Sequence, residues 1–271
     1  MKTDVVIGVI GNGFVGGAVA HGHKMHGHKV LVYDVLPDRS PNTIEEIWGD
    51  SDFVYVCVPT PPTEDGWCDL NYVEQVFHVA QETPRKPCQT IILKSTVTPG
   101  TTKWLENEFG ERIVFCPEFL TAVRAKEDFV RTKNLVIGAH DHEYAKEFKN
   151  ICLQMFTGCM LTLTDPTTAE MVKYMLNCFL ATKVSFLNEM KQIIDQAGGN
   201  WNESASAFIK DERIGTTHCM VPGPDGQLGF GGACFPKDIQ ALIAFAKFVN
   251  VKPSVIEAAW EKNKEVRPDE S

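Results

Sequence analysis

The chain has 271 residues, 44% of them hydrophobic and 23% charged, with a net charge of −9. That suits one large domain, or an ordinary domain with a smaller one, in a globular protein. The acidic balance argues against nonspecific binding to nucleic acid or anionic membranes, and no apolar run approaches the roughly 20 residues of a membrane span. Met-Lys-Thr-Asp leads directly into a strand with no secretory cleavage pattern, so a cytoplasmic protein is expected. The nine cysteines are scattered, and Cys57, Cys152 and Cys178 fall inside predicted strands and helices, which points to reduced thiols.

Residues 5–10 read as a short strand that runs into Gly11-Asn-Gly13-Phe-Val-Gly16, followed by a helix over 14–25 and a strand over 29–33 ending in Asp34. In this unit Gly11 permits a tight turn, Gly13 lets a pyrophosphate approach the backbone and Gly16 lets the helix pack on the strand. The phosphates would sit at the helix N-terminus. Asp34 is placed for the adenosine ribose hydroxyls, and its charge would repel a 2′-phosphate, so NAD is favoured over NADP.

Strands over 52–58, 90–94, 113–116, 135–138 and 160–163 alternate with helices over 71–83, 101–109 and 141–153. This pattern predicts an α/β fold with a doubly wound parallel sheet of Rossmann type. Ligands should gather at the carboxyl ends of the strands, which carry Pro59-Thr60-Pro61, Lys94-Ser95-Thr96 and Pro117-Glu118-Phe119. The histidine-rich stretch His21, His23, His26 and His28 reads as a solvated turn rather than a metal site.

Thr164-Asp165-Pro166 is a helix start, and the pattern continues to residue 197, where Gly198-Gly199 stops it. A helix of that length often bridges domains or forms a subunit interface. Lys173 and Asn177, four apart, share a face; Lys173 reads either as a snorkelling surface lysine or as a site residue. Helices are expected over 201–210, 236–248 and 254–263, with a frayed tail over 267–271. The predicted domains are 1–164, a dinucleotide-binding domain, and 165–271, an all-helical domain. Before the 236–248 helix lies Gly229-Phe-Gly-Gly-Ala-Cys-Phe-Pro-Lys-Asp238. Helix-terminal N–H groups, the helix dipole and Lys237 would favour the thiolate of Cys234, the candidate nucleophile. Gly231 and Gly232 clear the approach to it.

The ordered series Gly11–Gly16, Val58-Pro-Thr-Pro61, Lys94-Ser-Thr-Val-Thr-Pro-Gly100, Pro117-Glu-Phe-Leu120, Ala169-Glu-Met-Val-Lys173 with Asn177 and Asn188-Glu189, Arg213-Ile-Gly215 and Gly231–Asp238 spans nearly the whole chain. It resembles the nucleotide-sugar dehydrogenases, the UDP-glucose and GDP-mannose 6-dehydrogenase family. The resemblance implies oxidation of a sugar primary alcohol to a carboxylate in two NAD-dependent steps. Cys234 would hold the aldehyde as a thiohemiacetal and then a thioester. Lys173 and Asn177 would stabilise developing oxygen charge. Glu118 would be general base for the hydrolytic water, Thr96 would help hold that water, and Asp238 would be a polar or acid–base partner.

By the same resemblance Gly11, Gly13, Phe14, Val15, Gly16, Asp34, Pro59, Thr60, Thr96 and Lys237 would contact NAD. Phe119, Leu120, Lys173, Asn177, Arg213, Phe230 and Gly231 would contact the nucleotide sugar, with UDP-glucose the favoured substrate. No metal is implied, and a homodimer through the long helix is expected.

Two features depart from the family pattern. Ala122 stands where the family carries a second glutamate, and the sequence after Cys234 leaves no room for the further α/β domain that grips the nucleotide base. Three readings therefore stay open: a complete short dehydrogenase, one piece of an enzyme that needs a second polypeptide, or an NAD-binding module with little activity. The 6-phosphogluconate and β-hydroxyacid dehydrogenases share a Rossmann domain and a lysine and asparagine on a long helix. They make one hydride transfer and need no cysteine, so the Gly231–Asp238 segment speaks against them.

Overall fold

The structure, a computed structural model, describes residues 5–268. The chain divides into two compact units, one of residues up to Pro61 with Asp69–Lys173, the other of Pro62–Cys68 with residues from Tyr174 onward.

The first unit contains β1 (Val6–Ile10), α1 (Phe14–Met25), β2 (Lys29–Tyr33), α2 (Ile44–Asp50), β3 (Phe53–Val56), α3 (Asn71–Glu82) and β4 (Thr90–Leu93). It continues with α4 (Thr101–Phe109), β5 (Ile113–Phe115), α5 (Ala125–Val130), β6 (Asn134–Gly138), α6 (Lys146–Met155), β7 (Met160–Thr164) and the start of α7 (Pro166–Gln196). The strands form one sheet in the order β2-β1-β3-β4-β5-β6-β7, the expected doubly wound α/β architecture. The chain moves outward from β1 to β2 and resumes on the other side at β3, so the winding reverses between β1 and β3, where a doubly wound sheet opens a crevice at its carboxyl edge.

Alternate side chains enter opposite layers. Phe53, Tyr55 and Ile92 pack with Val19 of α1, Phe129 of α5 and Phe148 of α6. Val54, Val56, Ile91 and Leu93 pack with Trp48 of α2, Phe77 of α3 and Leu105 of α4. Because both faces are covered, the strands read as continuous apolar runs rather than as an alternation.

The sheet departs from the expected all-parallel form at one place. β5 and β6 are antiparallel, paired at Phe115 and Gly138, and β7 runs parallel to β6. The connection between β5 and β6 is used to cover α1: a Cβ on Gly22 would come 2.4 Å from the Phe129 ring of α5. The chain then re-enters from the carboxyl edge instead of crossing back. The short α2 was not expected, although its capping box is plain: Thr43 Oγ1 accepts from Glu46 N and Glu46 Oε2 accepts from Thr43 N. α6 begins at Lys146, later than predicted.

The second unit holds the rest of α7 with α8 (Trp201–Phe208), α9 (Phe235–Phe248) and α10 (Ser254–Val266). Cys178, Ala181, Val184, Phe230, Ile239 and Trp260 form one core, and Leu187, Trp201, Cys219 and Val221 a second. Buried polar groups tie the elements together. Ser185 Oγ donates to Ala259 O at 2.7 Å, and the Asn263 amide bonds both the N–H and the carbonyl of Phe230. The expected fraying does not hold at Arg267, which is buried and donates to Asp225 Oδ2 at 2.8 Å; residues 269–271 lie outside the described residues. Among the described residues no helix is long and apolar enough to cross a membrane.

Candidate active site

The turn after β1 is shaped by three glycines. Gly11 has φ +90°, and a Cβ on it would come 2.6 Å from the Cys57 carbonyl oxygen just past β3. A Cβ on Gly16 would lie 1.8 Å from Gly11 O, so α1 can start here only without a side chain at Gly16. At Gly13 a Cβ would meet nothing within 4 Å, and no side chain caps α1. The first N–H groups of α1 thus face open space, the arrangement that receives a phosphate. The Asp34 carboxylate accepts from Asn12 N at 2.6 Å and from Leu36 N at 3.0 Å, which holds it beside the turn. Phe14 is exposed and Val15 half-buried on the first turn of α1. Past β3, Pro59 is exposed, and buried Thr60 donates to Thr96 O at 2.6 Å, tying the loops after β3 and β4.

The start of α7 is fixed in two stages. Asp165 caps it, accepting from Thr168 N at 3.0 Å and Thr168 Oγ1 at 2.6 Å. Glu170, fully buried, then fills the N-terminus of α4: it accepts from Gly100 N at 2.6 Å, Thr102 N at 2.8 Å and Thr102 Oγ1 at 2.6 Å. Burial pushes its pKa up to about 7, outweighing these donors.

One turn later Lys173, 4% exposed, donates to Glu118 Oε1 at 2.7 Å and to Glu118 O at 2.8 Å. It is therefore a buried ion-paired lysine and not a surface one. Its ammonium lies 5.9 Å from the Phe119 ring centre, and the other Glu118 oxygen accepts from Leu120 N at 2.6 Å. Phe119 and Leu120 thus adjoin the pair. Thr96 is half-buried after β4.

In the second unit Cys234 is the N-cap of α9, half-buried, with Pro236 in the first turn. Asp238 N donates to Cys234 O at 2.9 Å. The Asp238 carboxylate, 1% exposed, is gripped from both sides: Asn177 Nδ2 donates to one oxygen at 2.5 Å and Lys237 Nζ to the other at 2.6 Å. Burial opposes the charge on Lys237, but Asp238, with Cys68 and Cys234, outweighs it and holds the ammonium above its usual range. Gly229 N donates to Asn188 Oδ1 at 3.0 Å, and Phe230 packs against Phe235 and Trp260. This fixes the chain leading into half-buried Gly231.

Residues 39–156 match the model of the UDP-glucose/GDP-mannose dehydrogenase family NAD binding domain, and residues 167–265 match that of the family's central domain. The chain belongs to the UDP-glucose/GDP-mannose dehydrogenase family. The UDP-glucose 6-dehydrogenase of Rickettsia bellii is 35% identical over 222 residues, which cover 80% of this chain and 50% of that one. The chain thus spans about half the length of the curated relatives it matches. A UDP-glucose dehydrogenase structure from Pyrobaculum islandicum superposes with a TM-score of 0.85 at 29% identity, covering 97% of this chain and 69% of that one. The Mycobacterium tuberculosis 3-hydroxyisobutyrate dehydrogenase shares the fold, with a TM-score of 0.79 at 16% identity, covering 98% and 95%.

The family's cofactor is NAD, and the first unit fits it: the uncapped start of α1, the open face at Gly13 and the Asp34 carboxylate are the donor and acceptor sets a dinucleotide requires.

Not every expected residue joins a cluster. Arg213 is exposed and engages Asp211, with Nε to Oδ1 at 2.8 Å and Nη2 to Oδ2 at 2.5 Å. The histidine stretch is not a solvated turn throughout. His23 is fully buried, bonded to Tyr55 OH at 2.8 Å and to His28 at 3.0 Å. Burial, then His28, His26 and Lys94, push its pKa down to about 3. No group of three or more metal-ligating residues occurs among the described residues.

Sequence reasoning gave no role to three residues. Glu170 docks α7, and Lys94 is buried with its amine on Pro117 O. Cys68 shares a hydrogen bond with Tyr174 OH at 3.2 Å and lies 3.9 Å from Lys237 Nζ. Burial of Glu170 and Lys94 depends on packing, so only their place in the quoted motifs marked them.

Proposed function

We propose that this chain carries out the NAD-dependent oxidation of a nucleotide-sugar primary alcohol to the uronic acid, with UDP-glucose the substrate favoured by the names of its relatives. The observation that carries this reading is Cys234 at the N-terminus of α9, one turn before an Asp238 held by Asn177 and Lys237. A single oxidation of an alcohol needs no nucleophile; a cysteine so placed suits an aldehyde that must be held for a second one.

When bound, the nicotinamide takes up one hydride in each of the two oxidations. Cys234 Sγ adds to the aldehyde carbon to give a thiohemiacetal, which becomes a thioester in the second oxidation. Water then attacks the thioester, Glu118 takes its proton, and the C–S bond breaks to release the carboxylate and the thiol. Thr96 helps hold that water. The Lys173 ammonium and the Asn177 amide, one turn apart on α7, stabilise the negative oxygen that develops. Asp238, in the first turn of α9, holds the Lys237 ammonium charged beside it. Arg213, engaged with Asp211 in this chain, contacts a nucleotide sugar held by a partner subunit.

α7 presents Met175, Phe179, Phe186 and Ile193, all exposed and spaced four, seven and seven residues apart, along one face. This apolar stripe supports a homodimer through α7. In a second reading, another polypeptide binds the nucleotide. Calorimetric titration of the chain with NAD, UDP-glucose and GDP-mannose separates the two. NAD binding with no nucleotide-sugar binding supports the second reading. Cys234→Ala tests the covalent step: it should abolish the second oxidation, and an unchanged product would refute the mechanism.

A further inference from the structure

The loop after β2 carries Asp34 at its start and Arg39 near its end. Hydrogen bonds close its base onto the strand. Asp34 N donates to Ser40 Oγ at 3.1 Å, Ser40 Oγ donates to Asn42 O at 2.9 Å, and Asn42 N donates to Val32 O at 3.1 Å. The tip is a short 3₁₀ turn over Pro37–Arg39, with Arg39 N on Leu36 O at 2.9 Å. It stands out into solvent, with Val35 81% and Leu36 46% exposed. One residue of the glycine turn reaches across to both ends of this loop. Asn12 N donates to Asp34 Oδ2 at 2.6 Å, and Asn12 Nδ2 donates to Arg39 O at 2.8 Å. The other amide atom, Asn12 Oδ1, lies over Gly17 of α1, 3.5 Å from where a Cβ would stand.

Any residue but proline at position 12 could make the backbone bond to Asp34. The bond to Arg39 O needs a side-chain donor of this length, so it is what asparagine itself adds. A dinucleotide with its pyrophosphate at the start of α1 and its adenosine ribose at Asp34 lies across the joint between turn and loop. A joint already made in the free chain leaves less loop entropy to be lost on binding. We propose that Asn12 is a positioning residue for NAD: its side chain latches the loop after β2 to the phosphate turn and so holds Asp34 in place for the ribose. This rests on Asp34 binding the ribose, and the two claims fail separately.

Calorimetric titration with NAD compares the wild-type chain, Asn12→Ala, Asp34→Ala and the double variant, while guanidinium denaturation without NAD follows stability. Asn12→Ala should weaken NAD binding about fivefold, the worth of one partly exposed hydrogen bond. In the Asp34→Ala background the same change should cost less than about twofold, because the latch then positions nothing. If Asn12→Ala fails to fold, Asn12→Ser, whose hydroxyl is one atom shorter than the amide, takes its place. Unchanged affinity in a folded Asn12 variant overturns the proposal, even where stability falls, since that is a purely structural role. An equal loss with and without Asp34 also overturns it, because Asn12 would then contact the cofactor directly. Unchanged affinity in Asp34→Ala refutes the ribose reading itself, and the proposal falls with it. Affinity lost in Asp34→Ala but not in Asn12→Ala refutes the proposal alone.

Discussion

His23 should make the first unit acid-labile by an amount that can be worked from its surroundings. The imidazole is buried on the inner face of α1, its nitrogens bonded to Tyr55 OH and to His28. Burial, reinforced by His28, His26 and Lys94, takes its pKa from 6.5 to about 3. A depressed histidine pKa means that the unfolded chain binds the proton more readily. Its contribution to stability is therefore full above pH 6.5 and is lost as pH falls toward 3. Between about pH 7.5 and about pH 5 the loss from this one group is about 2 kcal/mol. His28, also lowered by burial, adds in the same direction. Glu170 acts oppositely, because its raised pKa makes the folded chain the stronger proton binder over part of that range. The wild-type curve alone is therefore not diagnostic. The assay is guanidinium denaturation at both pH values for wild type and His23→Gln, whose amide can still bond Tyr55. The stability difference between them should change by about 2 kcal/mol, and a difference constant to within about 0.5 kcal/mol would refute the reasoning.

Glu170→Ala removes the side chain that satisfies Gly100 N and Thr102 N at the start of α4. It should cost about 3 kcal/mol or more in denaturation experiments. Lys173→Met leaves the Glu118 carboxylate buried without its ion pair and should lose about 3–5 kcal/mol; a loss below about 1 kcal/mol would mean that the pair is not formed. Gly11→Ala forces an L side chain to φ +90° and against Cys57 O. It should weaken NAD binding by at least about tenfold in calorimetry while costing about 1–3 kcal/mol of stability. Phe179→Arg with Phe186→Arg should convert a dimer to a monomer in light scattering; an unchanged mass would place the interface elsewhere.

What could be read from the sequence was what local backbone chemistry determines. Gly11, Gly13, Gly16 and Asp34 act through a turn and a helix start, so their spacing carries their geometry. Asp165 as the cap of α7 is equally local. The Thr43–Glu46 capping box is just as legible, but α2 is too short to carry a helical period beside it. The reversal of β6 has no local signature, and the packing of Phe129 of α5 against Gly22 of α1 joins residues far apart in the chain. Nor does any spacing join Lys173 to Glu118, 55 residues apart in the chain. Burial made the difference: a lysine among Met171, Val172 and Tyr174 fits a snorkelling surface residue equally well until the carboxylate is found against it.

The central claim is a two-step oxidation anchored at Cys234, and product stoichiometry tests it most directly. Purified chain would be incubated with limiting UDP-glucose and excess NAD until NADH formation stops. The account predicts two NADH for each UDP-glucuronate formed. One NADH per sugar, with the free aldehyde as product, would contradict it.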